Sequence, residues 1–259
     1  MRRQVVKFST NDNFILEGDF TKIEDSVKGV ILAHGMTVNR DDEGIFVRAE
    51  SKLNELGFST LKFDFRGHGK SQGDSLTDFT ISGELRDLEA AVNFMKDKNI
   101  LELNIAGASF GGSVSALYAG THAKEVRALF LANPVLDYEK CFLNPTTPWA
   151  KEHFENVFER LSEQGFIRVG SRRFKIGKRL FEEMKIYSPC QELKKYKNPL
   201  LIVHGSNDSK VSYKDTLDCF NALSNSSKRF ELIEGSEHGF HEEPYESKVV
   251  DMIVKFFSN

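Results

Sequence analysis

A serine, an aspartate and a histidine stand in this chain at positions where together they could carry out nucleophilic attack on an acyl carbon. Ser109 is the centre of Gly107-Ala108-Ser109-Phe110-Gly111, a G-x-S-x-G sequence. A serine hydroxyl is a poor nucleophile near neutral pH, so it needs a base to take its proton, and the base needs an orienting group. Asp208 closes His204-Gly205-Ser206-Asn207-Asp208, and His238 lies in Glu234-Gly235-Ser236-Glu237-His238-Gly239. The order Ser109, Asp208, His238 is one of the chain orders in which this constellation occurs. Asp137 and His241 compete for the acid and base roles. Asp208 is preferred for its tight turn and His238 for its Gly-x-x-His-Gly setting. The tetrahedral intermediate of such a reaction needs donors for its oxyanion. The backbone N–H of Phe110, just after the nucleophile, is one. The N–H of Met36, in His34-Gly35-Met36, is assigned as the second.

These groups work only if the backbone delivers them to one place. Short apolar runs recur at Gly29–Ala33, Ser59–Phe63, Leu103–Ala106, Ala128–Ala132, Leu200–Val203 and Phe230–Ile233. Most are apolar on both faces, as in strands covered by helices on both sides. Leu85, Leu88, Val92 and Met95, and again Val249 to Phe257, recur at the three- and four-residue steps of helices. Alternation of strands with helices predicts an open, mostly parallel sheet wrapped on both faces. A hairpin is expected at the start, with Val5–Phe8 and Phe14–Phe20 flanking Asn11-Asp12-Asn13. In open parallel sheets functional groups gather beyond the carboxyl ends of strands. Ser109, Asp208, His238 and the Met36 loop each follow a predicted strand. Ser109 would also open a helix, where free N–H groups favour developing negative charge. His34, His68 and His204 each sit beside a glycine at a strand end and are read as pinning loops.

The stretch from Asp137 to about Cys190 is too long for a plain connection and is rich in charge and aromatics. Helical spacing appears around Phe154–Leu161, and Phe166–Val169 with Arg172–Ile176 reads as a small hairpin turning at Gly170-Ser171. Residues 1–136 and 191–259 are therefore read as the core and 137–190 as an inserted cap. Its cations Arg168, Arg172, Arg173, Lys175, Lys178 and Arg179 run without an intervening carboxylate. They are read as a solvated face, with a carboxylate-bearing substrate as the alternative.

The chain has 259 residues, 40% hydrophobic and 28% charged, with a net charge of −3. That balance argues against nucleic acid or an anionic membrane as partner. Its 22 phenylalanines suit an aromatic core, and some of the rings could line an apolar pocket. Cys141, Cys190 and Cys219 are odd in number and widely spaced, so free thiols and a cytoplasmic location are expected. No secretory signal or membrane-spanning run is read. Gly67-His68-Gly69-Lys70-Ser71 ends like a phosphate-binding loop, but Asp64 stands where the first glycine is required. The histidines and cysteines lack metal-ligand spacing. No cofactor and no metal are expected.

Taken together, His34-Gly35-Met36-Thr37-Val38-Asn39-Arg40, Asp64-Phe65-Arg66-Gly67-His68-Gly69-Lys70-Ser71 and Gly107-Ala108-Ser109-Phe110-Gly111-Gly112 resemble the α/β-hydrolase superfamily. Within it they look like the cinnamoyl/feruloyl esterases and their carboxylesterase relatives. That resemblance implies an α/β-hydrolase fold, a small cap shaping the acyl and phenolic pocket, and frequent homodimers. The chain departs from the group at Ala108, Phe110 and Met36, where His, Gln and Phe are usual. The reading is a serine carboxylesterase for short-chain or aromatic acyl esters, with a small-molecule ester as its substrate. A thioesterase, acyltransferase or small peptidase would use the same acyl-enzyme. A binding module that keeps the fold without turnover is the alternative of a different class.

Overall fold

The computed structural model describes residues 3–170 and 174–259. The chain opens with β1 (Arg3–Ser9), β2 (Ile15–Thr21) and β3 (Lys28–Ala33). Then come α1 (Gly44–Glu55), β4 (Ser59–Phe63), α2 (Ile81–Asp97), β5 (Glu102–Ala108), α3 (Ser109–Thr121) and β6 (Leu129–Ala132). A π-helical turn (Glu139–Leu143) leads into α4 (Pro148–Phe154), α5 (Val157–Gln164), β7 (Ile167–Val169), β8 (Phe174–Ile176), α6 (Lys178–Met184) and α7 (Pro189–Leu193). The chain ends with β9 (Leu200–Gly205), α8 (Tyr213–Asn221), β10 (Lys228–Ile233) and α9 (Tyr245–Ser258).

Eight strands form one sheet in the order β1-β2-β4-β3-β5-β6-β9-β10. β1 and β2 pair antiparallel, as do β2 and β4, and every later neighbour is parallel. Side chains of a strand alternate between faces, so β3 feeds two cores. Ile31 and Ala33 join α2, α3 and the β6–β9 segment on one side, while Val30 and Leu32 meet α1 and α9 on the other. A fully buried Leu or Phe in such a layer stabilises the fold by about 1.5–3 kcal/mol. The α/β-hydrolase architecture expected from the sequence is therefore present.

Helix α3 passes so close to the sheet at its first turn that glycine is required there. A Cβ at Gly111 would lie 2.1 Å from the His34 carbonyl oxygen and 2.6 Å from that of Ala33. Any side chain there would force β3 and α3 apart. Helix α2 follows the predicted spacing and is capped by Thr80, whose hydroxyl accepts from the Gly83 amide.

Several local expectations change. The helical spacing at Phe154–Leu161 resolves into two helices, because Asn156 adopts a left-handed φ of 53° between α4 and α5. Asparagine tolerates that conformation better than other non-glycine residues, so the apolar period continues across a break in the backbone. Strand β10 is an edge strand with alternating exposure rather than one buried on both faces. β7 and β8 pair antiparallel as the expected hairpin, with Val169 opposite Phe174; Ser171, Arg172 and Arg173 lie outside the described residues.

The cysteine reading is corrected. Cys190 on α7 and Cys219 on α8 form a disulfide with Cα atoms 5.8 Å apart, and Cys141 is the free, buried thiol. Twenty-nine residues separate the pair in sequence, and only the packing of α7 beside α8 makes them neighbours. Disulfides persist in oxidising surroundings, so the free-thiol basis for a cytoplasmic location no longer holds. Among the described residues no helix is long and apolar enough to cross a membrane.

Candidate active site

Strand β5 ends at Ala108 and helix α3 starts at Ser109, which is held at φ 51°. For a serine this is a strained conformation, and it lifts the hydroxyl out of the strand-to-helix turn. The parallel registers align Ala33 with Gly107 and Ile233 with Gly205. The loops after β3, β5, β9 and β10 consequently converge at one edge of the sheet.

Three of the predicted residues meet there. His238 Nε2 lies 3.0 Å from Ser109 Oγ, and His238 Nδ1 lies 2.7 Å from Asp208 Oδ2. The Asp208 carboxylate requires the proton on Nδ1, which leaves the Nε2 lone pair facing the serine hydroxyl. Asp208 is fully buried, whereas the His238 side chain is 11% exposed. Burial by itself would raise the Asp208 carboxyl. The charge of His238 and hydrogen bonds from His204 and His238 overcome that and hold it well below the usual carboxylate range. The amides of Lys210 and Val211 also donate to Asp208 Oδ1, at 2.9 and 2.8 Å. Glu237 joins the two loops, because its Oε2 accepts from the Ser209 amide, the Ser209 hydroxyl and the His238 amide.

The competitors occupy other places. Asp137 accepts from the Lys140 amide at the start of the π-helical turn. His241 lines the cleft without meeting Ser109. His34 Nδ1 donates to the Gly35 carbonyl, and its Nε2 accepts from the Phe65 amide at 3.1 Å, tying the loop after β3 to the loop after β4. His204 does more than pin a loop, since its Nε2 lies 3.1 Å from Asp208 Oδ2.

The segment carrying Met36 crosses directly above the nucleophile. A Cβ on Gly35 would come within 3.1 Å of Ser109 Cβ. Met36 and Phe110 both line the cleft beside Ser109. As the second residue of α3, Phe110 has an amide with no carbonyl one turn earlier to bind. The Met36 segment is anchored by Arg40, whose buried guanidinium pairs with Glu17, Asp19 and Asp64. Asp64 also accepts the amides of Arg40 and Lys70. The Gly67–Ser71 loop is thus organised around a carboxylate of its own chain. Removing one partner from such a buried network costs about 3–5 kcal/mol.

Two chambers flank Ser109 and His238. The cap-side chamber, about 130 Å³, is walled by Phe110, Val135, Cys141, Phe142, Trp149 and Val169. The sheet-side chamber, about 90 Å³, is lined by Asp42, Glu43, Asn133, Phe240 and His241 among others. Lys210 borders both, with its ammonium 5.6 Å from the centre of the Trp149 ring. Among the described residues, the cations of the basic run at 168–179 do not line either chamber. Lys178 and Arg179 pair with Glu182 and Glu183 one turn on, and Arg168 and Lys175 lie against the Phe166 ring. Arg172 and Arg173 lie outside the described residues.

Glu43, Asn133 and Arg40 are parts of this site that sequence reasoning missed. Glu43 closes an acidic run, Asp41-Asp42-Glu43, that reads as solvent-facing, and Asn133 precedes a proline in what reads as a turn. Neither pattern carries a signal for burial beside a nucleophile.

A strained serine between a parallel strand and a helix, with histidine and buried aspartate in line, defines the α/β-hydrolase class. A family model described as serine aminopeptidase, S33, matches residues 25–179, and the chain belongs to that family. The uncharacterized protein YfhR of Escherichia coli (strain K12) is 26% identical over 96% of this chain and 80% of its own length. Est1E from Butyrivibrio proteoclasticus, solved with ferulic acid bound, superposes with a TM-score of 0.79 at 21% identity, covering 97% of each chain. The α/β hydrolase GrgF from Penicillium sp. sh18 gives 0.79 at 18% identity over 99% of this chain and 98% of its own.

Proposed function

We propose that this protein is a serine esterase acting on short-chain or single-ring aromatic acyl esters. The observation carrying the reading is the continuous line from Ser109 Oγ through His238 to Asp208, at 3.0 and 2.7 Å. Ser109 attacks the ester carbonyl while His238 takes its proton. Asp208 holds the imidazole in the required tautomer and stabilises the imidazolium. The amides of Met36 and Phe110 hold the oxyanion. The alcohol leaves with the proton from His238, and an acyl-Ser109 remains. Water then attacks, again through His238, and the acid is released.

The acyl class follows from the cap-side chamber, with residues 137–190 acting as the cap. Its walls are apolar and aromatic, and about 130 Å³ is close to the volume of a cavity that accepts benzene. A short acyl chain or one ring fits there. Est1E, with its bound ferulic acid, supports the aromatic end of that range. A second reading, acyl transfer, draws support from the polar chamber on the other side of Ser109 and from the polyketide transferase GrgF, 27% identical over 52% of this chain.

Ser109→Ala should lower hydrolysis of p-nitrophenyl acetate and butyrate by about 10⁴-fold or more. A fluorophosphonate should label Ser109 in the wild type, as read by mass spectrometry of the peptide. Near-full activity in the variant would sink the reading.

A further inference from the structure

Two side chains in the sheet-side chamber have no part in the triad. Asn133, 2% exposed, follows β6 at φ 43°. Its Oδ1 accepts from the Gly205 amide at 2.9 Å, which fixes the orientation of the side-chain amide. Nδ2 is then the free end, and it has no hydrogen-bond partner among the described groups. A buried donor left unmatched loses its hydrogen bond to water without gaining another, so this wall favours a group that brings a lone pair.

Glu43, 7% exposed, stands just before α1. Burial pushes its carboxyl up, against the opposing pull of His238, His241 and the Gly35 amide. Its oxygens accept hydrogen bonds, and the protonated form that burial favours also donates one. The chamber therefore offers a donor on one wall and a carboxyl on another, with Ser109 and His238 at its inner end. An apolar acyl group would leave the Asn133 donor unmatched, whereas a hydroxyl group brings it a lone pair and offers a proton to the Glu43 carboxylate oxygens.

We propose that the sheet-side chamber, through Glu43 and Asn133, binds the hydroxylic molecule that takes the acyl group from Ser109. Its ligand class is water or a small alcohol. This rests on the acyl-enzyme reading above and extends it to the second half of the reaction. The acceptor oxygen bonds to the acyl carbonyl carbon and gives its proton to His238 Nε2. The carbon–oxygen bond to Ser109 then breaks, and His238 returns the proton to Ser109 Oγ. Water yields the free acid and an alcohol yields a new ester. A volume of about 90 Å³ holds several waters or a three-carbon alcohol.

The test follows p-nitrophenyl acetate turnover by stopped flow, with and without glycerol as acceptor, and measures acetate against glyceryl acetate by NMR. The proteins are the wild type, Glu43→Leu, Glu43→Gln and Asn133→Asp. The last retains an acceptor for Gly205 and replaces the Nδ2 donor by a second carboxylate oxygen. Fluorophosphonate labelling of Ser109 at the wild-type rate identifies variants whose acylation machinery is intact. Glu43→Leu and Asn133→Asp are expected to acylate within about threefold of the wild type. Their deacylation should slow about tenfold, with a fivefold or larger change in the ratio of glyceryl acetate to acetate. Glu43→Gln should recover most of the loss. The product ratio reads the second step whichever step limits turnover.

The proposal is overturned if deacylation and product ratio stay within twofold in the variants that label, or if acylation and deacylation fall alike. If Glu43→Leu does not fold, Asn133→Asp decides. Absence of labelling and of any acyl-enzyme in the wild type would instead overturn the esterase reading itself.

Discussion

The two chambers beside Ser109 differ in what built them. The cap-side chamber takes one whole side of its wall from the long segment between β6 and β9, including Phe142 from the π-helical turn, Trp149 from α4 and Val169 from β7. The sheet-side chamber takes its walls from the ends of the parallel strands and the start of α1: Asn133, Ala132, Ala108 and Glu43. The first is the more apolar and aromatic, and the second carries the buried polar groups Glu43 and Asn133. The difference separates two tasks on one fold. Strand-end loops, held by ladder hydrogen bonds and the Arg40 network, hold Ser109, Asp208 and His238 in line. The segment between β6 and β9 can change its aromatic lining without disturbing those loops, and under the proposed esterase reading selection of the acyl group would reside there.

Asp208→Asn tests the shared part and should have the largest effect. With the imidazole tautomer no longer enforced, kcat should fall about 10⁴-fold for every ester and every acceptor. A loss confined to one acyl class would break the division between chambers.

His68 tests the seam between the two regions, since its ring stacks on Phe174 of the cap hairpin and meets His34 of the core. Burial, helped by the charge of His34, pushes His68 down to about 3 from an ordinary value of 6.5. A histidine depressed in the folded state contributes stability that is complete above its unfolded pKa and lost as pH falls toward the folded one. Urea unfolding should therefore show a loss of about 2 kcal/mol from His68 between pH 6.5 and pH 5. His34, also lowered by burial, adds to the same acid limb. His68→Asn should flatten the limb, and an unchanged slope would remove His68 from the seam.

Trp149→Ala tests the cap side alone and should have the smallest effect. The ratio of kcat/KM for an aromatic acyl ester to that for an acetyl ester should drop about tenfold. The partition between water and glycerol should not move. A change in partition would mean the chambers are not independent.

Much of the sheet and its helices was legible because the signals are local. Ile31 and Leu32 are apolar on successive positions because both faces of β3 are covered, and Leu88, Val92 and Met95 recur because one stripe of α2 faces the core. Ser109 was findable from its strand-to-helix setting, and Asp208 and His238 from their places after strands. The break at Asn156 was hidden because a left-handed residue does not interrupt the apolar period. Glu43 and Asn133 were hidden for a different reason. Their residue types are those of exposed loops, and nothing beside them in the chain records the distant elements that cover them.

The sequence by itself determined the strand–helix alternation, the serine turn and the order of the groups that could serve it. Each depends on side-chain periodicity or on backbone limits within a few residues. Tertiary structure alone decided that His238 reaches across 129 positions to Ser109, that Cys190 meets Cys219, and that Glu43 and Asn133 share one chamber. Those outcomes depend on parallel register and on how the β6–β9 segment lies over the strand ends. Contacts between groups far apart in the chain exist only once the sheet has brought its strand ends to a common edge.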